Sequence, residues 1–227
     1  MKLFKLNDYI YYTDHEQLRD RPRLGYIKGD KFSVAIDAGH SDNHLNEFYS
    51  LLKENELPLP SLTILTHWHW DHTFAMHAVN GLTLASEKTN NHLIDFIHQQ
   101  NKENDFKFRK FDKSIENEYP IDKDIIVKPA DITFQNKITI DLGITKLEVF
   151  ECISPHTDDC TLIFLPKEKL LFVGDGVCGV PPTFKVDPII GEQMIDVLNS
   201  IDFDISIGGH WDNKNKNELI ELVREYI

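Results

Sequence analysis

Residues 66–72 read T-H-W-H-W-D-H, which puts three histidines and an aspartate into seven positions. Imidazole and carboxylate are the donors that suit zinc and, less selectively, iron or manganese. In an extended segment alternate side chains share a face. That alternation predicts His67, His69 and Asp71 on one side, with His72 turned to the other where a helix begins. One loop of this kind can serve two neighbouring metal ions, but it does not fill two coordination shells. Further donors are expected where strands end, because α/β proteins carry their ligand-bearing loops there. Three positions qualify: His156 in ISPHTDD, Asp175 in LFVGDG and His210 in ISIGGH.

The elements that must position these residues follow from pattern. A β meander is expected near 2–5, 9–12, 24–28 and 32–37, then a helix over 42–54 with Leu45, Phe48, Leu51 and Leu52 at helical spacing. LTIL at 62–65 and LTLAS at 82–86 read as buried strands, with a helix near 87–100 after them. Residues 101–130 are polar and charged, helical at first and then irregular towards Pro120 and Pro129. Strand patterns return at 132–134, 137–141, 145–153, 160–166 and 169–175. A helix near 191–200, a strand at 205–209 and a helix near 214–226 complete the chain. Two β-rich halves with interleaved helices imply an α/β arrangement with helices on the outer sheet faces.

Composition bounds the function. The chain has 227 residues, 41% hydrophobic and 27% charged, the balance of an ordinary globular protein. A formal net charge of −13 disfavours nucleic-acid binding, since an acidic surface repels polyphosphate. The opening MKLFKLNDYIYYTDHEQ has no apolar core of a signal peptide, and no apolar run approaches the roughly 20 residues that cross a bilayer. Three cysteines (Cys152, Cys160, Cys178) in no paired or zinc-type spacing fit a reducing compartment, so a cytoplasmic location is expected.

The string His67, His69, Asp71 and His72, H-x-H-x-D-H, resembles the signature of the metallo-β-lactamase-fold hydrolases, in particular their glyoxalase II and lactonase-like branch. SVAIDAG, with Asp37, resembles the first motif of that family, SPHTDD the third, GDG the fourth and GGH the fifth. Order and spacing agree, with 84 residues from His72 to His156, 19 on to Asp175 and 35 on to His210. The resemblance implies one domain over 1–227, a four-layer αββα sandwich with metals at one edge between two sheets, and a helical insertion near 90–130. It implies two divalent ions, zinc foremost and iron or manganese as alternatives. His67, His69 and His156 would hold the first, Asp71, His72 and His210 the second, and Asp175 would bridge them. Asp37 would support the metal loop without ligating, and Asp71 would orient the nucleophile.

Two metals about 3.5–4 Å apart can share a water and lower its pKa enough for attack on an ester-like carbonyl or a phosphorus. The chain departs from the family pattern in three places. Pro155 stands where a glycine is usual before His156, the 84-residue gap is long, and little chain follows His210, leaving no room for the helical domain that holds glutathione in glyoxalase II enzymes. The insertion carries Phe96, Phe106, Phe108 and Phe111 and reads equally as a lid over the metals or as an appendage packed by its own aromatics. Trp68 and Trp70 are expected to pack beneath the loop, Trp211 to line the cavity, and His40 and His44 to be the non-motif histidines facing its mouth. Cys178 lies three residues past Asp175, where packing is the expected role.

A secreted β-lactamase would need a signal peptide and a different bridging residue, and a tRNA-processing nuclease would need a basic arm. The reading is therefore a hydrolase of small thioesters, lactones or related esters, and a site that keeps about +1 is expected to welcome an anionic small molecule. The alternatives are a small-phosphodiester hydrolase and a single-iron persulfide dioxygenase. A metal-stabilised binding protein is the weakest reading, because structural zinc sites are closed and usually rich in cysteine.

Overall fold

Short apolar runs become strands here because both of their faces are covered. The computed structural model describes residues 1–120, 122–180 and 183–227. A seven-stranded sheet runs in chain order: β1 (Leu3–Lys5), β2 (Ile10–Thr13), β3 (Gly25–Ile27), β4 (Val34–Ile36), β5 (Leu62–Ile64), β6 (Leu82–Ser86) and β7 (Ile132–Phe134). Strands β1 to β4 form the antiparallel meander, and β4 to β7 are parallel. The crossovers between the parallel strands carry α1 (Asp42–Glu54), the single turn α2 (Trp70–Thr73), α3 (Glu87–Gln99), α4 (Lys102–Arg109) and α5 (Lys113–Glu118).

The second sheet holds β8 (Lys137–Asp141), β9 (Lys146–Glu151), β10 (Thr161–Leu165), β11 (Leu170–Gly174) and β12 (Ile205–Gly208) in the order β12-β11-β10-β9-β8. Neighbours are antiparallel except β11 and β12, which run parallel across α6 (Pro188–Ser200). Helix α7 (Lys216–Tyr226) ends the chain.

Strand periodicity builds the layers. In β10, Ile163 and Leu165 enter the core between the sheets, while Leu162 and Phe164 face outward beneath α6 and α7. Ile10, Ile27, Val34, Ile36, Ile64 and Leu84 meet that inter-sheet core from the first sheet. On the outer face of the first sheet, Tyr26, Ala35, Leu65 and Ala85 are covered by Leu45, Phe48 and Leu52 of α1 and Leu93 of α3. The result is the expected αββα sandwich. Burying each of the Leu, Ile, Val and Phe side chains contributes about 1.5–3 kcal/mol.

Local chemistry explains the helix boundaries. Ser41 caps α1 by accepting from the His44 amide, and Asn215 and Glu218 form a reciprocal capping box at α7. Helix α6 begins three residues before the expected 191, because Asp187 caps it and Pro188 occupies the first turn, where a missing N–H costs nothing. The 101–130 region is more ordered than its composition suggests. Its helices α4 and α5 are capped by Asn101 and Asp112. Ile115, Tyr119 and Ile125 form a small core there with Phe74, against which Phe96, Phe108 and Trp70 pack. Phe106 and Phe111 remain exposed. No helix of the described residues is long and apolar enough to cross a membrane.

A buried ion pair ties this insertion to the meander. Arg21 donates through Nε and Nη2 to both oxygens of Glu118 at 3.0 and 2.9 Å, and through Nη1 to Glu47 at 2.8 Å. Ser41 also donates to Glu118. Both partners of the pair are nearly inaccessible, so removing one leaves the other charge stranded in low dielectric. Glu118→Ala is expected to lower unfolding free energy by about 3–5 kcal/mol. Urea denaturation checks this, and an unchanged midpoint would show that the pair is not buried as described.

Candidate metal centre

The donors converge because several strands end at the same edge. Asp37 follows β4, the 66–72 loop follows β5, Asp175 follows β11 and His210 follows β12. Main-chain hydrogen bonds stitch these ends together. Thr161 N–H donates to the Thr66 carbonyl (2.7 Å), Ala38 N–H to that of His72 (2.9 Å), Arg23 N–H to that of Gly209 (2.8 Å), and Gly209 N–H to that of Gly174 (3.0 Å).

Two groups of donor atoms result. In the first, His67 Nε2 lies 3.1 Å from His69 Nδ1, which lies 2.9 Å from His156 Nε2. In the second, Asp71 Oδ2 lies 2.9 Å from His210 Nε2 and 3.3 Å from His72 Nε2. Asp175 Oδ2 sits 3.4 Å from His72 Nε2, 3.3 Å from His210 Nε2 and 3.8 Å from His156 Nε2, so one carboxylate oxygen touches both groups. Within each group the donor atoms all lie within 4.8 Å of one another.

Asp37 orients the loop from behind. Its backbone is left-handed (φ 63°), its Oδ1 accepts from Thr66 N–H at 2.8 Å, and its Oδ2 lies 2.7 Å from His72 Nδ1. The Thr66 hydroxyl donates to the same carboxylate and is therefore free to accept from His67 Nδ1–H at 3.1 Å. Both imidazoles thus turn Nε2 towards the centre. The Thr73 hydroxyl bonds the carbonyls of Trp68 and His69, and Asp159 accepts from Trp68 N–H. The Ser154 hydroxyl accepts from His156 N–H and donates to the Gly176 carbonyl, fixing the loop around Pro155. A Cβ at Gly209 would collide with Asp175 Oδ1, which is why the glycine of GGH is needed there.

The donor set fits a cation. Burial, then the neighbouring imidazoles, hold His67 well below the ordinary histidine range and His69 at about 3, and burial lowers His156 as well. These rings are neutral, and their ring nitrogens converge. In the second group burial opposes charge, but Asp71, Asp37 and Asp175 hold His72 well above the usual value, and Asp175 and Asp71 do the same for His210. Burial likewise works against the Asp71 and Asp175 carboxylates, yet His72 and His210 keep both well below their ordinary range. Protons therefore occupy the second group where a divalent ion would displace them. His72 Nε2 and Asp175 Oδ1 are buried without a hydrogen-bond partner, as atoms reserved for a ligand would be.

All seven sequence-selected donors meet here. Asp71 sides with His72, as the resemblance implies and against the two-residue alternation, because α2 begins at Trp70. His40 and His44 do not face a mouth. Both are buried, with His40 Nδ1 against the Arg19 carbonyl and His44 Nδ1 accepting from His40 N–H. Trp211 packs on the core beneath α6 and α7. Cys178 reaches within 3.8 Å of His156 Nδ1, but burial pushes its thiol up and keeps it protonated. Trp68 and Trp70 pack as expected, Trp68 on the outer core of the first sheet and Trp70 on Phe108 and Phe111. Asp20 was missed. Its Oδ1 lies 3.5 Å from His210 Nδ1, and burial, then Asp71, raise it to about 6. Nothing in the sequence around it signals that contact.

The family model described as the metallo-beta-lactamase superfamily matches residues 25–206. Among solved structures, a metallo-beta-lactamase from Pontibacter korlensis is similar at 19% identity and a TM-score of 0.69, covering 98% of each chain. A metallo-beta-lactamase from Hirschia baltica is similar at 17% and 0.66, covering 98% of this chain and 96% of its own. A metallo-beta-lactamase family protein from Thermus thermophilus is similar at 14% and 0.70, covering 97% and 79%. No curated protein matches by sequence.

Two measurements test the geometry. An unfolded imidazole takes its proton near pH 6.5 and folded His69 only near 3, so between those values the unfolded state binds more protons. Stability of the chelator-treated protein should therefore fall as pH drops through that window, and His69→Gln should flatten the dependence of the urea midpoint on pH. Gly209→Ala should displace Asp175 and lower the metal content measured by mass spectrometry, while a wild-type content would show that the close approach is not required.

Proposed function

This chain belongs to the metallo-beta-lactamase superfamily, and from that premise we propose a metal-dependent hydrolase that holds two divalent cations, zinc by donor chemistry, and cleaves a small ester-like substrate such as a thioester or lactone. The observation that carries the reading is the placement of Asp175 Oδ2 within 3.8 Å of imidazoles from both donor groups. His67, His69 and His156 would hold one ion, Asp71, His72 and His210 the other, and Asp175 would lie between them. Bound there, the ions supply Lewis acidity towards the substrate oxygen and lower the pKa of a shared water.

The chain's own residues set the geometry of attack. Asp71 is buried and held strongly ionised by His72 and His210, so it is a poor store for a proton. Its part is to orient the attacking water by accepting a hydrogen bond. Two dications exceed the charge of Asp71 and Asp175, but Asp37 and Asp20 stand directly behind the ligands. Counting these four carboxylates brings the centre near neutrality, which favours an uncharged ester over a phosphodiester with its one negative charge. A cytoplasmic setting and a single domain over 1–227 complete the proposal.

Purified protein should contain two zinc ions per chain and turn over members of a thioester and lactone panel. One iron per chain with oxygen uptake would instead identify a persulfide dioxygenase. His69→Ala should lose metal and activity together, and full activity at normal metal content would refute the ligand assignment. Asp71→Asn should reduce turnover about 10²–10⁴-fold while lowering metal content less.

A further inference from the structure

We propose that Asp20 is the positioning residue of His210, doing from the N-terminal segment what Asp37 does for His72. The inference rests on the two-ion reading above and assigns to one half of the centre a support outside the 25–206 region of the family match. The two imidazoles of the second donor group are oriented alike, through a buried hydrogen bond at His72 and a longer ion-pair contact with a half-exposed carboxylate at His210. Each turns Nε2 to Asp71 and Asp175, and each turns Nδ1 to a carboxylate behind it, Asp37 Oδ2 at 2.7 Å for His72 and Asp20 Oδ1 at 3.5 Å for His210. Both backing aspartates also occupy left-handed backbone, with φ of 63° at Asp37 and 49° at Asp20. That conformation is strained for an L residue, and aspartate tolerates it better than most.

The turn that carries Asp20 is anchored on both sides. Asp20 N–H closes the preceding 3-10 turn on the Gln17 carbonyl, and Glu16 and Arg21 exchange both main-chain hydrogen bonds around it. On one flank the Arg19 carbonyl meets His40 Nδ1. On the other, Arg23 N–H donates to the Gly209 carbonyl, and the Arg23 guanidinium holds Asp212 and Asn213. The loop bearing His210 and the turn bearing Asp20 are thereby fixed as one unit. Among the described residues the Asp20 carboxylate makes no hydrogen bond to its own turn, so glycine or asparagine would serve the backbone equally well. The carboxylate matters for His210. That ring is more exposed than His72, and a carboxylate at Nδ1 both stops its rotation and raises the basicity of Nε2.

Two variants separate this role from turn formation. Asp20→Gly keeps the left-handed turn without strain but removes the carboxylate, whereas Asp20→Asn keeps an acceptor oxygen without the charge. In equilibrium dialysis against zinc, Asp20→Gly should weaken one of the two ions about 10–100-fold and leave the other unchanged, and Asp20→Asn should recover part of the loss. Wild-type affinity for both ions in Asp20→Gly would overturn the proposal. A wild-type chain that takes fewer than two zinc ions would sink the two-ion reading, and the metal-free protein then decides. There, a hydrogen-bonded His210 Nδ1–H signal in imidazole NMR, lost in Asp20→Gly and regained in Asp20→Asn, supports the role of Asp20. An unchanged signal overturns it.

Discussion

Imidazole nitrogens and carboxylate oxygens that face one another in a dry interior are a cost, and this fold is organised around containing it. His67, His69 and His156 are kept neutral by burial with their ring nitrogens converging. Asp71 and Asp175 are kept ionised by His72 and His210. Unpaired polar atoms inside a protein cost several kcal/mol unless something satisfies them. A cation satisfies the first group by accepting its lone pairs and the second by replacing its protons. One constraint therefore produces two halves with different character, the first ready for metal and the second in competition with acid.

Holding such a cluster requires rigidity from both sheets. The Asp37 carboxylate bonds Thr66 and His72, and Thr66 in turn bonds His67, so a single left-handed residue after β4 orients donors of both groups. The second sheet reaches across through Thr161 and the Thr66 carbonyl, and the N-terminal segment through Arg23 and Gly209. The insertion contributes differently. It packs Phe96 and Phe108 on Phe74 and Trp70, immediately beside the 66–72 loop, and is locked by the Arg21 and Glu118 pair. An element in that place supports the metal loop whether or not it also closes over a substrate.

The strands and most helices were legible because each is a local pattern with a local stop. Helix α1 spans the expected 42–54, since its apolar spacing and its Ser41 cap lie within one stretch. Strand β10 was readable from a short apolar run buried on both sides. The region after residue 100 was harder, because its order comes from contacts with Phe74, Trp70 and Arg21 and not from its own hydrophobicity. His40 looked exposed for the complementary reason, as a polar side chain in a turn whose burial depends on Tyr119, just after α5, and on Arg19 packing over it.

The sequence by itself determined which donors are present, that each follows a strand, and that alternating and helical periods would cover two sheets with helices. These properties reside in residue type and in spacing over a few positions. Only the tertiary structure decided the distances between them. It carried Asp71 off the two-residue alternation through the phase of one helical turn, brought Asp175 Oδ2 within 3.8 Å of both groups, and set Asp20 behind a histidine 190 positions away. Such pairings depend on how loops from different strands pack at a common edge, and no local pattern encodes a distance between residues so far apart along the chain.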